Sequence, residues 1–199
     1  MEQEKLQIKN KLEDYISIID DEAASLISES LVKVCKKYSS NFEVSKIIGD
    51  GKTEKPDKKI RDAYVWPIGR TMDDMVDIHW SQYILFLLRR SLNFYKQNTK
   101  ENLDVNISDL SILKYEKGGH YKIHSDHHRT QPRTLSLIMF VNDDYKGGNL
   151  EFHLPDESNI HIVEKKKGRI VIFPSNFLYR HKVQPVEEGT RYSVVGWML

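Results

Sequence analysis

The chain has 199 residues, a length at which one hydrophobic core can support a fold without disulfide staples. Its 30 Lys and Arg against 29 Asp and Glu leave a net charge of +1, which gives no sign of a phosphate-backbone binder. A 39% hydrophobic share with 10% aromatics argues against intrinsic disorder, and the single cysteine, Cys35, excludes both an intramolecular disulfide and a Cys-based zinc site.

The opening residues, MEQEKLQIKNKLEDYIS, are charged throughout and lack the apolar stretch of a secretory leader. The longest clear apolar run, Tyr83 to Leu88, is too short to span a bilayer. Together they predict a cytoplasmic protein with no membrane partner. Leu12, Tyr15, Ile16 and Ile19 recur at helical spacing and predict an amphipathic helix. Ala24, Ile27, Leu31 and Val34 predict a second, started by Asp20 and Asp21. Phe42 to Ile48 and Ile60 to Trp66 read as a strand pair. Between them GDGKTEKPDKK (49–59) lacks any apolar anchor and predicts a loop that does not pack. Residues 73–97 carry the longest helical signal, with Asp73 and Asp74 at its start and an apolar face of Trp80, Tyr83, Ile84, Leu87 and Leu88.

From residue 108 the pattern changes to short β-rich runs at 110–116, 121–126, 134–142, 149–153, 159–164, 169–173, 181–185 and 190–198, separated by turn-rich segments. Eight short strands at this spacing predict a sandwich or jelly roll. The expected fold class is α+β. Residues 1–107 would be mostly helical support, and 108–199 a β-core, within one domain.

Eight histidines need explaining. His124 and Asp126 stand two apart in a strand-like run, so their side chains leave the same face, roughly 7 Å apart. A third ligand must come from elsewhere, and His181, near the start of HKVQPV, is the best candidate. Two imidazoles and one carboxylate leave positions open for substrate and oxygen and suit non-haem Fe(II). Zinc accepts the same ligands, so ligand type alone leaves the metal open. His127 and His128 fall at a strand end and read as solvated or substrate-facing. His79, His120, His153 and His161 read as structural. Arg191, Ser193, Val195 and Trp197 alternate on one face of the last strand. A hairpin across the EEG turn would bring Arg191 near the metal, where an arginine suits bidentate capture of a carboxylate and Ser193 adds a hydrogen bond.

These residues together resemble the 2-oxoglutarate/Fe(II)-dependent dioxygenases of the prolyl 4-hydroxylase-like branch. YEKGGHYKIHSD (115–126) looks like that family's Y-x-x-G-x-x-Y-x-x-H-x-D segment. YKGGNLEF (145–152) is similar to its Gly-Gly turn. GRIVIFPSNFLYRHKVQPVEEGTRYSVVGW (168–197) is similar to its distal-histidine and cosubstrate-arginine segment. The likeness covers 108–198 closely and extends faintly to 43–66, where the strand, the glycine loop and Arg61 resemble a substrate-covering hairpin. It implies a double-stranded β-helix, a form of jelly roll. It implies His124, Asp126 and His181 as Fe(II) ligands, and Arg191, Ser193 and Tyr115 at 2-oxoglutarate. Tyr121, Arg61 and Trp197 become substrate-pocket candidates. Phe140 stands where some relatives place a tyrosine hydroxyl for the cosubstrate.

The implied activity is hydroxylation of a C–H bond, first of a prolyl residue in a peptide or protein, releasing succinate and CO2, with ascorbate as a supporting reductant. Alternatives are oxygenation of a free amino acid, a small molecule or a nucleic acid, or a cupin-like module that binds metal without oxidising anything. The nucleic-acid branch carries a second arginine six residues after the cosubstrate arginine, where this chain has Trp197.

Overall fold

The computed structural model of the chain describes residues 12–49, 53–70, 74–100, 103–153 and 160–199. In chain order the strands are β1 (Ser17–Asp20), β2 (Glu43–Val44), β3 (Ile47–Gly49), β4 (Thr53–Lys55), β5 (Arg61–Asp62), β6 (Tyr64–Pro67), β7 (Ile107–Tyr115) and β8 (His120–His124). They continue with β9 (Leu135–Phe140), β10 (Lys146–Gly147), β11 (Leu150–His153), β12 (Ile160–Val163), β13 (Arg169–Pro174), β14 (Arg180–Val183), β15 (Val186–Glu188) and β16 (Arg191–Met198). The helices are α1 (Glu22–Lys37) and α2 (Met75–Thr99).

A seven-stranded sheet runs in the order β1-β13-β9-β16-β7-β6-β2, and a five-stranded sheet in the order β12-β11-β14-β8-β5. The run LSLIMF of β9 shows how they are layered, because all six of its residues are buried. Leu135, Leu137 and Met139 pack with Leu31, Ile84, Leu87 and Leu88 of the helices. Ile138 and Phe140 point the other way and meet Phe152 and Val183 of the smaller sheet. A strand covered on both faces reads as a continuous apolar run, as here. The two sheets facing each other form the expected double-stranded β-helix, with helices behind the larger sheet.

Several expectations change at the N-terminus. Leu12–Tyr15 forms a single 3-10 turn, and Ser17–Asp20 is an edge strand paired with β13, not part of a helix. Ile16, Ile18 and Ile19 are β-branched and favour the extended chain once an unpaired sheet edge is available. The second helix forms as expected, with Asp21 accepting a hydrogen bond from the Ala24 N–H at 3.0 Å as its cap. The third starts at Met75, capped by Asp74, while Asp73 lies outside the described residues. Part of the expected loop 49–59 is ordered as a hairpin, with Ile47 opposite Lys55 and Gly49 opposite Thr53. Residues 50–52 lie outside the described residues. The first half therefore supplies more than helices: β1, β2 and β6 join the larger sheet, and β5 extends the smaller one. Among the described residues no helix is long and apolar enough to cross a membrane.

Candidate metal and cosubstrate site

The β8–β14 ladder sets His181 directly opposite His124, with a register irregularity before Val183 meets Tyr121. Cross-strand neighbours project from the same face, and the two rings lie 4.3 Å apart, centroid to centroid. Asp126 follows β8. Its Oδ1 lies 3.4 Å from His124 Nε2, and its Oδ2 lies 3.6 Å from His181 Nε2. One donor atom from each of the three falls within 4.8 Å of the others.

The surroundings fit a metal. His124 Nδ1 is 2.8 Å from the Lys122 carbonyl, and His181 Nδ1 is 3.1 Å from the Tyr179 carbonyl. A backbone carbonyl on Nδ1 holds the proton there and leaves Nε2 as the lone-pair donor. Ser136 donates to Asp126 Oδ2 at 2.6 Å and lies 2.7 Å from Ser175 Oγ, so the carboxylate is oriented from behind. Burial works to raise the Asp126 carboxyl, but His181, His124 and Ser136 outweigh it and hold it well below the usual carboxylate range. Burial, reinforced by His124, pushes the His181 imidazole down to about 4. A neutral imidazole beside an ionised carboxylate is the protonation state that metal binding needs.

Deeper in the same pocket sits Arg191, 1% exposed. It faces Tyr115 in the β16–β7 ladder, while Ser193 faces Phe140 in the β16–β9 ladder. Arg191 Nη1 donates to Ser193 Oγ at 2.9 Å. Among the described residues its Nε and Nη2 are buried without a partner. Unpaired buried donors are costly, and a carboxylate reaching them would supply the missing acceptors. The expected hairpin between His181 and Arg191 is not formed. β14 lies in the smaller sheet and β16 in the larger, so the arginine approaches the triad across the sandwich.

The mouth is walled by two stacks. The Arg61 guanidinium lies 4.6 Å from the Tyr121 ring, which stacks on His124 at 3.5 Å. Burial pushes the Tyr121 phenol up to about 12, against the opposing pull of Arg61. A second stack sets the Arg133 guanidinium 3.8 Å from the Trp197 ring. Sequence reasoning missed Arg133, Ser136 and Ser175. Only Ser136 left a trace, as a polar residue inside an apolar strand. His127 and His128 are not part of the His124–Asp126–His181 cluster: their Nδ1 atoms lie beside the Arg133 carbonyl and the Thr130 hydroxyl. Both stacks, with His124 and Asp126, line an open cleft of about 480 Å³ that also runs past Lys46, Ile47, Ile60, Arg70 and His128.

Residues 110–199 match the family model of the 2OG-Fe(II) oxygenase superfamily. The matched segment carries the triad, Arg191 and every strand from β8 onward. The chain is 32% identical over 99 residues to a PKHD-type hydroxylase of Rippkaea orientalis, covering 46% of this chain and 43% of that protein. It is 38% identical over 91 residues to a PKHD-type hydroxylase of Synechococcus sp. strain CC9311, covering 44% and 40%. The chain thus spans less than half the length of these curated relatives. Among solved structures, a Trichoplax adhaerens prolyl hydroxylase, in complex with a hypoxia inducible factor oxygen degradation domain peptide fragment, aligns with a TM-score of 0.69 at 19% identity, over 94% of this chain and 84% of that one. A Pseudomonas putida prolyl-4-hydroxylase aligns with a TM-score of 0.65 at 22% identity, over 92% and 91%. At these identities the structural likeness establishes the shared fold. The likeness to 2OG-Fe(II) oxygenases therefore holds in sequence over residues 110–199, and the fold is shared with prolyl hydroxylases.

Proposed function

We propose that this protein is an Fe(II)- and 2-oxoglutarate-dependent oxygenase that hydroxylates a C–H bond of a prolyl residue in a peptide or protein, the whole chain acting as one cytoplasmic oxygenase domain. The observation that carries the reading is the placement of a His–Asp–His cluster and a buried, partly unpaired arginine on one pocket. A module that only stored or sensed metal would have no use for the arginine.

In this reading His124, Asp126 and His181 hold the iron. Arg191 grips the far carboxylate of 2-oxoglutarate, Ser193 fixes one nitrogen of the guanidinium, and Tyr115 lines the cosubstrate pocket. Bound iron and 2-oxoglutarate supply an oxidant from O2, with succinate and CO2 released and ascorbate keeping the metal reduced. The protein's part is to orient the ligands, keep bulk water from the buried arginine and present one substrate carbon to the metal face.

The open cleft supports an extended substrate. Arg61 on Tyr121 and Arg133 on Trp197 present flat faces to the cleft that holds His124 and Asp126, and flat faces suit a pyrrolidine ring held in an extended chain. Prolyl hydroxylation in the structural relatives named above points the same way. The test is incubation with iron, 2-oxoglutarate and a panel of proline-rich peptides, read by succinate release and by addition of one oxygen to a peptide. Succinate release stimulated by a peptide that gains an oxygen on proline is expected. Stimulation by free amino acids or oligonucleotides, with every peptide inert, would replace the substrate assignment.

A further inference from the structure

Tyr145 carries a second unpartnered polar atom next to Arg191. It is 5% exposed, and among the described residues its hydroxyl has no hydrogen-bond partner. Gly148 separates it from the arginine side chain. A Cβ on Gly148 would lie 3.1 Å from Tyr145 Cε2 and 3.3 Å from Arg191 Cδ, and the glycine holds φ +61. The close approach of ring and arginine therefore depends on a residue without a side chain. The ring is held in place: Lys165 Nζ donates to the Tyr145 carbonyl at 2.6 Å and lies 4.6 Å from the ring centre. From the other side, a Cβ on Gly189 would come within 3.2 Å of Tyr145 Cβ. Burial raises the phenol, opposed by the nearby Arg191 charge, so the hydroxyl is neutral at physiological pH.

Three unpartnered polar atoms thus belong to two neighbouring side chains: Arg191 Nε and Nη2 and the Tyr145 hydroxyl. A guanidinium has five N–H donors. One goes to Ser193 and two would go to a bidentate carboxylate, which leaves donors over for Tyr145. Phe140, 5.3 Å from the guanidinium, has no hydroxyl to offer. Tyr145 itself is not among the pocket-lining residues, so it acts through the arginine.

We propose that Tyr145 is a positioning residue for cosubstrate selection, its free hydroxyl accepting from the Arg191 guanidinium when that group takes up the plane that grips the distal carboxylate of a 2-oxo dicarboxylic acid. The inference rests on the proposed 2-oxoglutarate site. It predicts that Tyr145 serves discrimination for the distal carboxylate and not general binding.

The test is calorimetric titration of the Zn(II)-loaded protein and its Tyr145→Phe variant with 2-oxoglutarate and with 2-oxobutanoate, which shares the keto-acid head but lacks the distal carboxylate. Wild type should prefer 2-oxoglutarate. Tyr145→Phe should bind 2-oxoglutarate about tenfold more weakly, the lower end for a hydrogen bond to a charged group, and 2-oxobutanoate as before. Its ligand-free unfolding temperature should not fall, because the change removes an unpaired buried hydroxyl and keeps the ring. An unchanged ratio of the two affinities, or an equal loss for both ligands, overturns the assignment of Tyr145. Absence of any preference in wild type instead overturns the dicarboxylate reading of Arg191, and the inference falls with it.

Discussion

His124 and His181 are direct partners in the β8–β14 ladder, and each has its Nδ1 on a backbone carbonyl two residues before it. The ladder therefore sets both the distance between the imidazoles and the nitrogen that each presents. A side-chain change at either position should remove a proposed metal ligand without disturbing the strand pairing.

His124→Ala, Asp126→Ala and His181→Ala should each abolish tight Fe(II) or Zn(II) binding, whereas His127→Ala and His128→Ala should keep it. Ser136→Ala keeps the ligands but frees the Asp126 carboxylate, and should weaken metal binding by about 10- to 100-fold. Calorimetric titration of metal into each purified variant checks the series. Full metal occupancy in any of the three ligand variants would show the cluster to be misassigned.

Arg191→Ala should raise the 2-oxoglutarate requirement by about 10- to 150-fold, the range for losing a charge-assisted hydrogen bond, while metal affinity stays the same. An unaltered KM for 2-oxoglutarate would take the arginine out of the cosubstrate pocket.

Phe140→Tyr tests the same grip from a buried ring beside the guanidinium. The Phe140 ring lies 5.3 Å from the guanidinium, close enough for a phenol oxygen to accept from an unpaired N–H. The variant should bind 2-oxoglutarate more tightly, by about 2- to 10-fold for one added hydrogen bond. Weaker binding, with a lowered unfolding temperature, would mean that the added oxygen overpacks the site.

The metal-free protein should lose stability as pH falls from about 6.5 to about 4. In that window an unfolded His181 takes up a proton that the buried, folded His181 refuses. Stability from this group is thus complete above the unfolded value and lost on acidification, by up to about 3 kcal/mol. Asp126, held low in the fold, adds its own loss only at still lower pH. Urea denaturation at pH 7, 6 and 5 reads the slope, which His181→Gln should flatten. The same slope in that variant would assign the effect to other groups.

Replacing 50–58 with a short Gly–Ser turn should spare metal and 2-oxoglutarate binding and reduce peptide hydroxylation, leaving peptide-independent succinate release in place. Ile47, Ile60 and Arg61, at the base of this segment, line the cleft, and a lid there would sequester the substrate. Equal peptide turnover in trimmed and full-length protein would make the segment a connection only.

Much of this site could be read from sequence because it depends on local periodicity. Strict alternation puts Arg191, Ser193 and Trp197 on one face of β16, whereas the strand expected over 121–126 ends at His124, and Asp126 reaches the cluster from the bend that follows. Eight of the ten strands from β7 to β16 and the helix capped by Asp21 were legible from periodicity; β10 and β15, two and three residues long, carry too few residues to show one. Other features needed contacts between segments far apart in the chain. Ile16 to Ile19 fit a helical stripe as well as a strand, and only the free edge of β13 decided between them. The hairpin expected between His181 and Arg191 gave way to a crossing between sheets, because the inner face of β16 is buried against the smaller sheet. The Arg133–Trp197 stack, the support of Asp126 by Ser136 and Ser175, and the approach of Tyr145 to Arg191 past Gly148 leave no periodic signal. The sequence by itself determined which side chains share a face; tertiary structure decided which faces meet, because that depends on the sheet order and the packing of one layer on another.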